Sequence, residues 1–319
     1  MWNPRVEKHQ RPAPRGAPCG SLSLSLCLTL ALLSFSPLGC RPNDYYLNHP
    51  LSSQPGIIRE SLIFDRDQLR VHWIAYSPPK KELLPAVLVH PDAGGLAGDM
   101  EGICQDLARQ GYFAASVHYQ RLENLEKENP LFPWKSPQDV TAAINHLKGH
   151  PRVNAERVGL LGFSKGGMLS LLIASQDPSI KAVVAYYPVA DFEEWLDLSK
   201  YSFPKSLWFH GVRSYVLKEL QVHTWDEALK ILRVASPINQ AENIQAPVLL
   251  IHGERDLTAP LEQVQHLCQK MQGAGRNCDL FVIPRAGHVF NFLNEKQGKQ
   301  AWDKTMDFLD AHLRVRQTP

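Results

Sequence analysis

The chain is poor in cysteine, carries no excess of either charge, and has only one apolar run longer than a strand. Six cysteines in 319 residues, two of them before residue 40, cannot build a disulfide framework. Cys268 and Cys278 are left either as a pair in an oxidising compartment or as two buried thiols. A formal net charge of +2, with charged residues at 21%, gives no basic face of the kind that grips nucleic acid. No repeat and no low-complexity tract follows the first 40 residues, and a hydrophobic content of 44% is ordinary for a folded globular chain. The apolar run, Leu22 to Phe35, is broken by serines, one threonine and Cys27, and is short against the ~20 residues a spanning helix needs.

What surrounds that run gives it a meaning. Arg5, Lys8, Arg11 and Arg15 precede it against the single acid Glu7, and Ser36-Pro-Leu-Gly-Cys40 follows. A basic start, a short apolar stretch and small residues before a cut describe a signal peptide over residues 1–39. Gly39-Cys40 resembles the cleavage site of a bacterial lipoprotein, where Cys40 is the lipidated residue and the route to membrane attachment. The expected location is outside the cytoplasm: periplasmic or membrane-anchored if the source is bacterial, otherwise secreted. The leader carries a net +3 of the whole chain's +2, so the rest carries −1. Residues 40–57 are expected to form a tether.

From residue 58 to 319 the pattern is that of one α/β domain. Strand-like runs fall at 58–64, 69–76, 86–90, 113–118, 158–162, 182–186, 248–252 and 280–284, and helix-like stretches at 99–110, 136–148, 165–175, 261–272 and 296–313. Two strands followed by strand–helix alternation predict a mostly parallel, doubly covered sheet with an antiparallel start. One interval breaks the rhythm. Residues 190–236, between the sixth and seventh predicted strands, are too long for an ordinary connection and hold Phe192, Trp195, Tyr201, Phe203, Trp208, Phe209 and Trp225. An aromatic insertion there is expected to be a lid, with Trp195 and Trp208 as candidate substrate contacts; the alternative is a small core of its own.

The chemistry-bearing segment is Gly162-Phe-Ser-Lys-Gly-Gly167, between the apolar strand Val158–Leu161 and the apolar stretch Met168–Ala174. A G-x-S-x-G turn in a strand–turn–helix setting puts Ser164 on a strained elbow above the sheet. The following helix aims its amides at the site, which makes the Lys165 amide a natural donor to an oxyanion.

A serine hydroxyl needs a positioned base. Of thirteen histidines, His288 lies just after the last predicted strand, in Pro284-Arg-Ala-Gly-His288, whereas His252 within a strand and His312 near the chain end suit structural roles. An acid should stand between them in sequence. Asp256, on the loop after Pro247-Val-Leu-Leu-Ile-His-Gly253, is the candidate, with Asp191 and Glu254 as rivals. The second oxyanion donor is expected from His90-Pro-Asp-Ala-Gly-Gly95: the Asp92 amide first, Ala93 next.

Val87-Leu-Val-His-Pro-Asp-Ala-Gly-Gly95, the elbow, Ile251-His-Gly-Glu-Arg-Asp256 and Ala286-Gly-His-Val-Phe290 together resemble the dienelactone hydrolase-like branch of the α/β-hydrolase fold, across residues 58–313. The resemblance implies a serine-dependent hydrolase acting on a small-molecule ester or lactone, with no metal and no organic cofactor. The chain departs from that branch at three places. Ser164 stands where the branch has cysteine, and Pro91 where it has a glutamate. Arg121 matches the first of two arginines that hold a substrate carboxylate, but the second position falls on Phe292. The elbow is also similar to that of acyl-CoA thioesterases and bile-acid acyltransferases. A peptidase of the prolyl oligopeptidase-like clan and a non-catalytic exported binding protein are the other readings.

Overall fold

The central strands contain continuous aliphatic runs because they are covered on both faces. Every side chain of Ala86–Val89 and of Val248–Ile251 is fully buried, as parallel strands between two helical layers require. The structure, a computed structural model, describes residues 56–66, 69–128 and 141–314. The expected signal peptide, Cys40 and nearly all of the expected tether lie outside the described residues.

The strands are β1 (Ile58–Arg66), β2 (Leu69–Ser77), β3 (Leu84–His90), β4 (Phe113–Arg121), β5 (Asn124–Glu128), β6 (Val153–Phe163), β7 (Ala182–Tyr186), β8 (Val248–Gly253) and β9 (Cys278–Ile283). They form one sheet in the order β1-β2-β4-β3-β6-β7-β8-β9, with β5 pairing on β4. The β1–β2, β2–β4 and β4–β5 pairs are antiparallel, and along the sheet order from β4 through β3 to β9 every pair is parallel. This is the expected α/β sheet with an antiparallel start. β5 is the strand the pattern did not predict: Asn-Leu-Glu-Lys-Glu has no apolar alternation to signal it.

The helices are α1 (Glu101–Arg109), α2 (Thr141–Lys148), α3 (Lys165–Gln176), α4 (Phe192–Trp195), α5 (Lys205–Leu220), α6 (Trp225–Val234), α7 (Leu261–Gly273), α8 (Phe290–Leu293) and α9 (Glu295–Leu313). α2, α3 and α7 bury Leu147, Leu171 and Leu267 in one core on one face of the sheet. α1 and α9 bury Leu107 and Leu309 in the other. Each such side chain, taken fully from water, contributes roughly 1.5–3 kcal/mol of transfer free energy.

The long interval 190–236 is a helical insertion between β7 and β8, made of α4, α5 and α6. It has its own aromatic centre. Phe209 is fully buried, with Tyr201 stacked on it at 3.7 Å, Trp208 edge-on at 4.5 Å and Trp195 edge-on at 5.9 Å. That centre is continuous with the α3 and α7 side of the core. Cys268 and Cys278 form a disulfide that joins α7 to the start of β9, and Cys104 is a buried free thiol.

Candidate active site

The elbow is built by close backbone approach. Ser164, at the N-cap of α3, has φ 49° and ψ −113°, a conformation that costs a non-glycine residue on the order of 1–3 kcal/mol. It is held by Ser164 N–H donating to the Tyr186 carbonyl at 2.9 Å and by Met168 N–H donating to the Ser164 carbonyl at 3.1 Å. The flanking glycines are required. A Cβ on Gly162 would collide with the Gly166 carbonyl, and one on Gly166 with the carbonyls of His90 and Pro91. The second contact presses the loop after β3 directly against the turn that carries Ser164.

The three expected residues meet there. His288 Nε2 lies 3.0 Å from Ser164 Oγ, and His288 Nδ1 lies 2.6 Å from Asp256 Oδ2. A carboxylate only accepts, so Nδ1 carries the proton and Nε2 accepts from the serine hydroxyl. The other carboxylate oxygen, Asp256 Oδ1, accepts from the amides of Thr258 and Ala259, each at 2.9 Å. The Asp256 side chain is wholly buried and the imidazole nearly so. The rival acids are engaged elsewhere. Asp191 caps α4 through the amides of Glu193 and Glu194. Glu254 accepts from the Arg285 amide at 2.7 Å, which ties the acid's loop to the base's loop. His312 packs on Phe308 within α9.

Lys165 opens α3, and its amide is therefore one of the N-terminal groups of that helix. Asp92 sits on the loop that packs against the elbow, where its carbonyl accepts from Gly95 N–H at 3.3 Å. The sequence pointed to these two residues only for their amides; their side chains also feel each other's charge, and the Asp92 carboxyl feels that of His288. The Lys165 side chain is buried, and burial pushes its ammonium down to about 7, partly offset by Asp92. Burial raises the Asp92 carboxyl to about 6, partly offset by His288 and Lys165.

Two neighbours were not legible as site residues. His252, read as structural, is fully buried and places Nε2 3.4 Å from Asp256 Oδ2 while donating to the Ala259 carbonyl at 2.8 Å. Its position four residues before Asp256 was the only available signal. Tyr187 packs its ring against His288 with centroids 4.6 Å apart.

The substrate candidates have partners of their own. Arg121, at the end of β4, has Nη1 3.8 Å from Glu123. Trp195 donates its indole N–H to the Thr258 carbonyl at 2.6 Å, and Trp208 packs on Phe209. Phe292, at the position where the branch has its second arginine, packs on Phe163 with centroids 5.4 Å apart.

Sheet order, strained serine and hydrogen-bonded histidine and aspartate define the class: an α/β-hydrolase. Within that class the chain belongs to the dienelactone hydrolase family, whose profile matches residues 73–313. A Methylorubrum extorquens protein named as a carboxymethylenebutenolidase is 27% identical over 65% of this chain, and the chain spans 63% of that relative's length. The crystal structure of a Klebsiella pneumoniae protein described as a dienelactone hydrolase superposes with a TM-score of 0.59 at 21% identity, covering 81% of this chain and 100% of that one. Pyrococcus horikoshii acylaminoacyl peptidase superposes with a TM-score of 0.65 at 18% identity, covering 83% of this chain and 43% of that one.

Proposed function

We propose that the protein hydrolyses carboxylic esters or lactones through an acyl-enzyme formed on Ser164. The observation that carries this reading is the unbroken line Ser164 Oγ, His288, Asp256, with contacts of 3.0 and 2.6 Å. Family membership supports it. As Ser164 Oγ attacks the carbonyl carbon, its proton passes to His288 Nε2, and Asp256 stabilises the imidazolium through the Nδ1 proton. The amides of Lys165 and Asp92 hold the oxyanion. The imidazolium then protonates the leaving alkoxide, leaving acyl-Ser164. Water attacks this ester with His288 as base, and the acid departs.

The substrate favoured is an uncharged ester rather than a dienelactone carboxylate. Arg121 lies beside Glu123, and the second arginine of the branch is replaced by Phe292. Leu257, next to Asp256, and Leu293, on α8 just after His288, are both exposed and apolar. The insertion would cover the acyl side as a lid, with Trp195 and Trp208 as its contacts, supported by the bond from Trp195 to the acid's loop.

The test is labelling with a fluorophosphonate and turnover of short p-nitrophenyl esters. Ser164→Ala should abolish both, and His288→Ala should abolish labelling at Ser164. Turnover persisting in Ser164→Ala overturns the assignment. Faster cleavage of proline-containing peptide amides than of esters would favour the peptidase reading, and a preference for acyl thioesters the thioesterase reading.

We also propose export by a leader ending at Gly39, with Cys40 as a lipidated N-terminus that attaches the protein to a membrane. The support is the basic, apolar and small-residue order of residues 1–40. Mass spectrometry of the mature N-terminal peptide tests it: a diacylglyceryl-modified Cys40 is expected, and an unprocessed Met1 would refute it.

A further inference from the structure

The end of β7 touches Ser164 and His288 and pairs with the strand that leads to Asp256. The Tyr186 carbonyl accepts from Ser164 N–H at 2.9 Å, and Tyr187 N–H donates to the Ile251 carbonyl of β8, the strand leading to Asp256, at 2.8 Å. Tyr187 then departs from strand geometry, with φ at 38°. That turn lays its fully buried ring against His288 at 4.6 Å between centroids and 58° between planes. Its hydroxyl donates to Asn291 Oδ1 at 2.7 Å, and Asn291, itself buried, lies three residues beyond His288 on α8. The ring is thus fixed at its backbone and at its far end, and a tyrosine held at positive φ is a strained choice that the surroundings enforce.

We propose that Tyr187 is a positioning residue for His288, a fixed aromatic shelf that holds the imidazole between Ser164 and Asp256 and favours it when it carries the extra proton. An aromatic ring attracts a cation lying against it, and the imidazolium exists only after proton transfer from the serine. The benefit therefore falls on the transition state more than on the bound substrate, and it should show in kcat rather than KM. Asn291 sets the tilt of the shelf.

The inference rests on the ester hydrolase reading, and the two fail separately. If wild-type protein turns over no ester, that reading fails, while the imidazole contact is still read by NMR. Tyr187→Met keeps much of the volume and removes the π face; Tyr187→Phe keeps the ring and removes the bond to Asn291. With p-nitrophenyl esters, Tyr187→Met should lower kcat by roughly five- to tenfold with KM within about twofold. Tyr187→Phe should restore at least about half of the wild-type kcat, because the cation-binding face is back. Wild-type kcat in Tyr187→Met, a loss carried by KM, or equal losses in both variants would overturn the proposal. Should Tyr187→Met not fold, histidine-labelled wild-type protein decides. The His288 Cε1–H resonance, assigned with His288→Gln, should show a ring-current displacement, and a position equal to that in unfolded protein refutes the shelf.

Discussion

The Trp195 indole donates to the carbonyl of Thr258 at 2.6 Å, two residues past the catalytic-acid candidate Asp256. The same Thr258 gives its amide to Asp256 Oδ1 at 2.9 Å. The insertion is therefore bonded to the peptide that orients the acid. Trp195→Phe keeps ring contacts with Phe192 and Phe209 and deletes the donor. It should cost about 1 kcal/mol in urea denaturation, the worth of one ordinary hydrogen bond, and lower kcat severalfold. Lost stability with unchanged turnover would show that the insertion packs on the domain without steadying Asp256.

Gly166 and Gly211 should respond to alanine in opposite ways. A Cβ at Gly166 meets the backbone carbonyls of His90 and Pro91, which cannot swing aside. Gly166→Ala should destabilise by about 3 kcal/mol or more, or give no folded protein, since overpacking here separates the loop after β3 from the elbow. Gly211, inside α5, has open space around its Cβ direction. Gly211→Ala should stabilise by about 0.5–1 kcal/mol through helix propensity alone. Thermal melts of both variants check the pair of signs.

The meeting of Ser164, His288 and Asp256 was legible because each residue sits in a local signature: glycines flanking Ser164, and strand ends before Asp256 and His288. Sheet direction was legible because parallel strands are aliphatic on both faces. β5 was not, because the sequence Asn124–Glu128 has no apolar alternation to mark the strand that pairs on β4. The insertion's length and aromatic content were visible, yet its rings met around Phe209, a choice made by packing between helices and not by spacing. His252 was read by its strand position, and only the fold of the following loop brings it to Asp256. Tyr187 gave no signal, since positive φ at a tyrosine is imposed by its neighbours.

Asp256 accepts from the His288 ring and from two amides, and His252 Nε2 stands 3.4 Å from its Oδ2. Asp256→Asn turns one acceptor into a donor at nearly the same volume. The amide would set an N–H against an N–H, or turn His288 into the wrong tautomer. kcat should fall on the order of 10³–10⁴-fold with little change in KM, because the loss is confined to the transition state. A fall in KM-dependent binding instead would place Asp256 in substrate contact.

Lys165 and Asp92 make stability depend on pH in two separate windows with opposite signs. The Lys165 ammonium is depressed from 10.5 to about 7 in the folded chain. Between those values the unfolded chain holds the proton that the folded chain has lost, so stability rises as pH increases. Asp92 is raised from 3.8 to about 6. Between those values the folded chain keeps a proton that the unfolded chain has released, so stability falls as pH increases. Lys165→Met should therefore flatten the rise in melting temperature from pH 7 to 9, and Asp92→Asn should flatten the fall from pH 4 to 6. Parallel curves for wild type and Lys165→Met would mean that the ammonium reaches solvent in the folded protein.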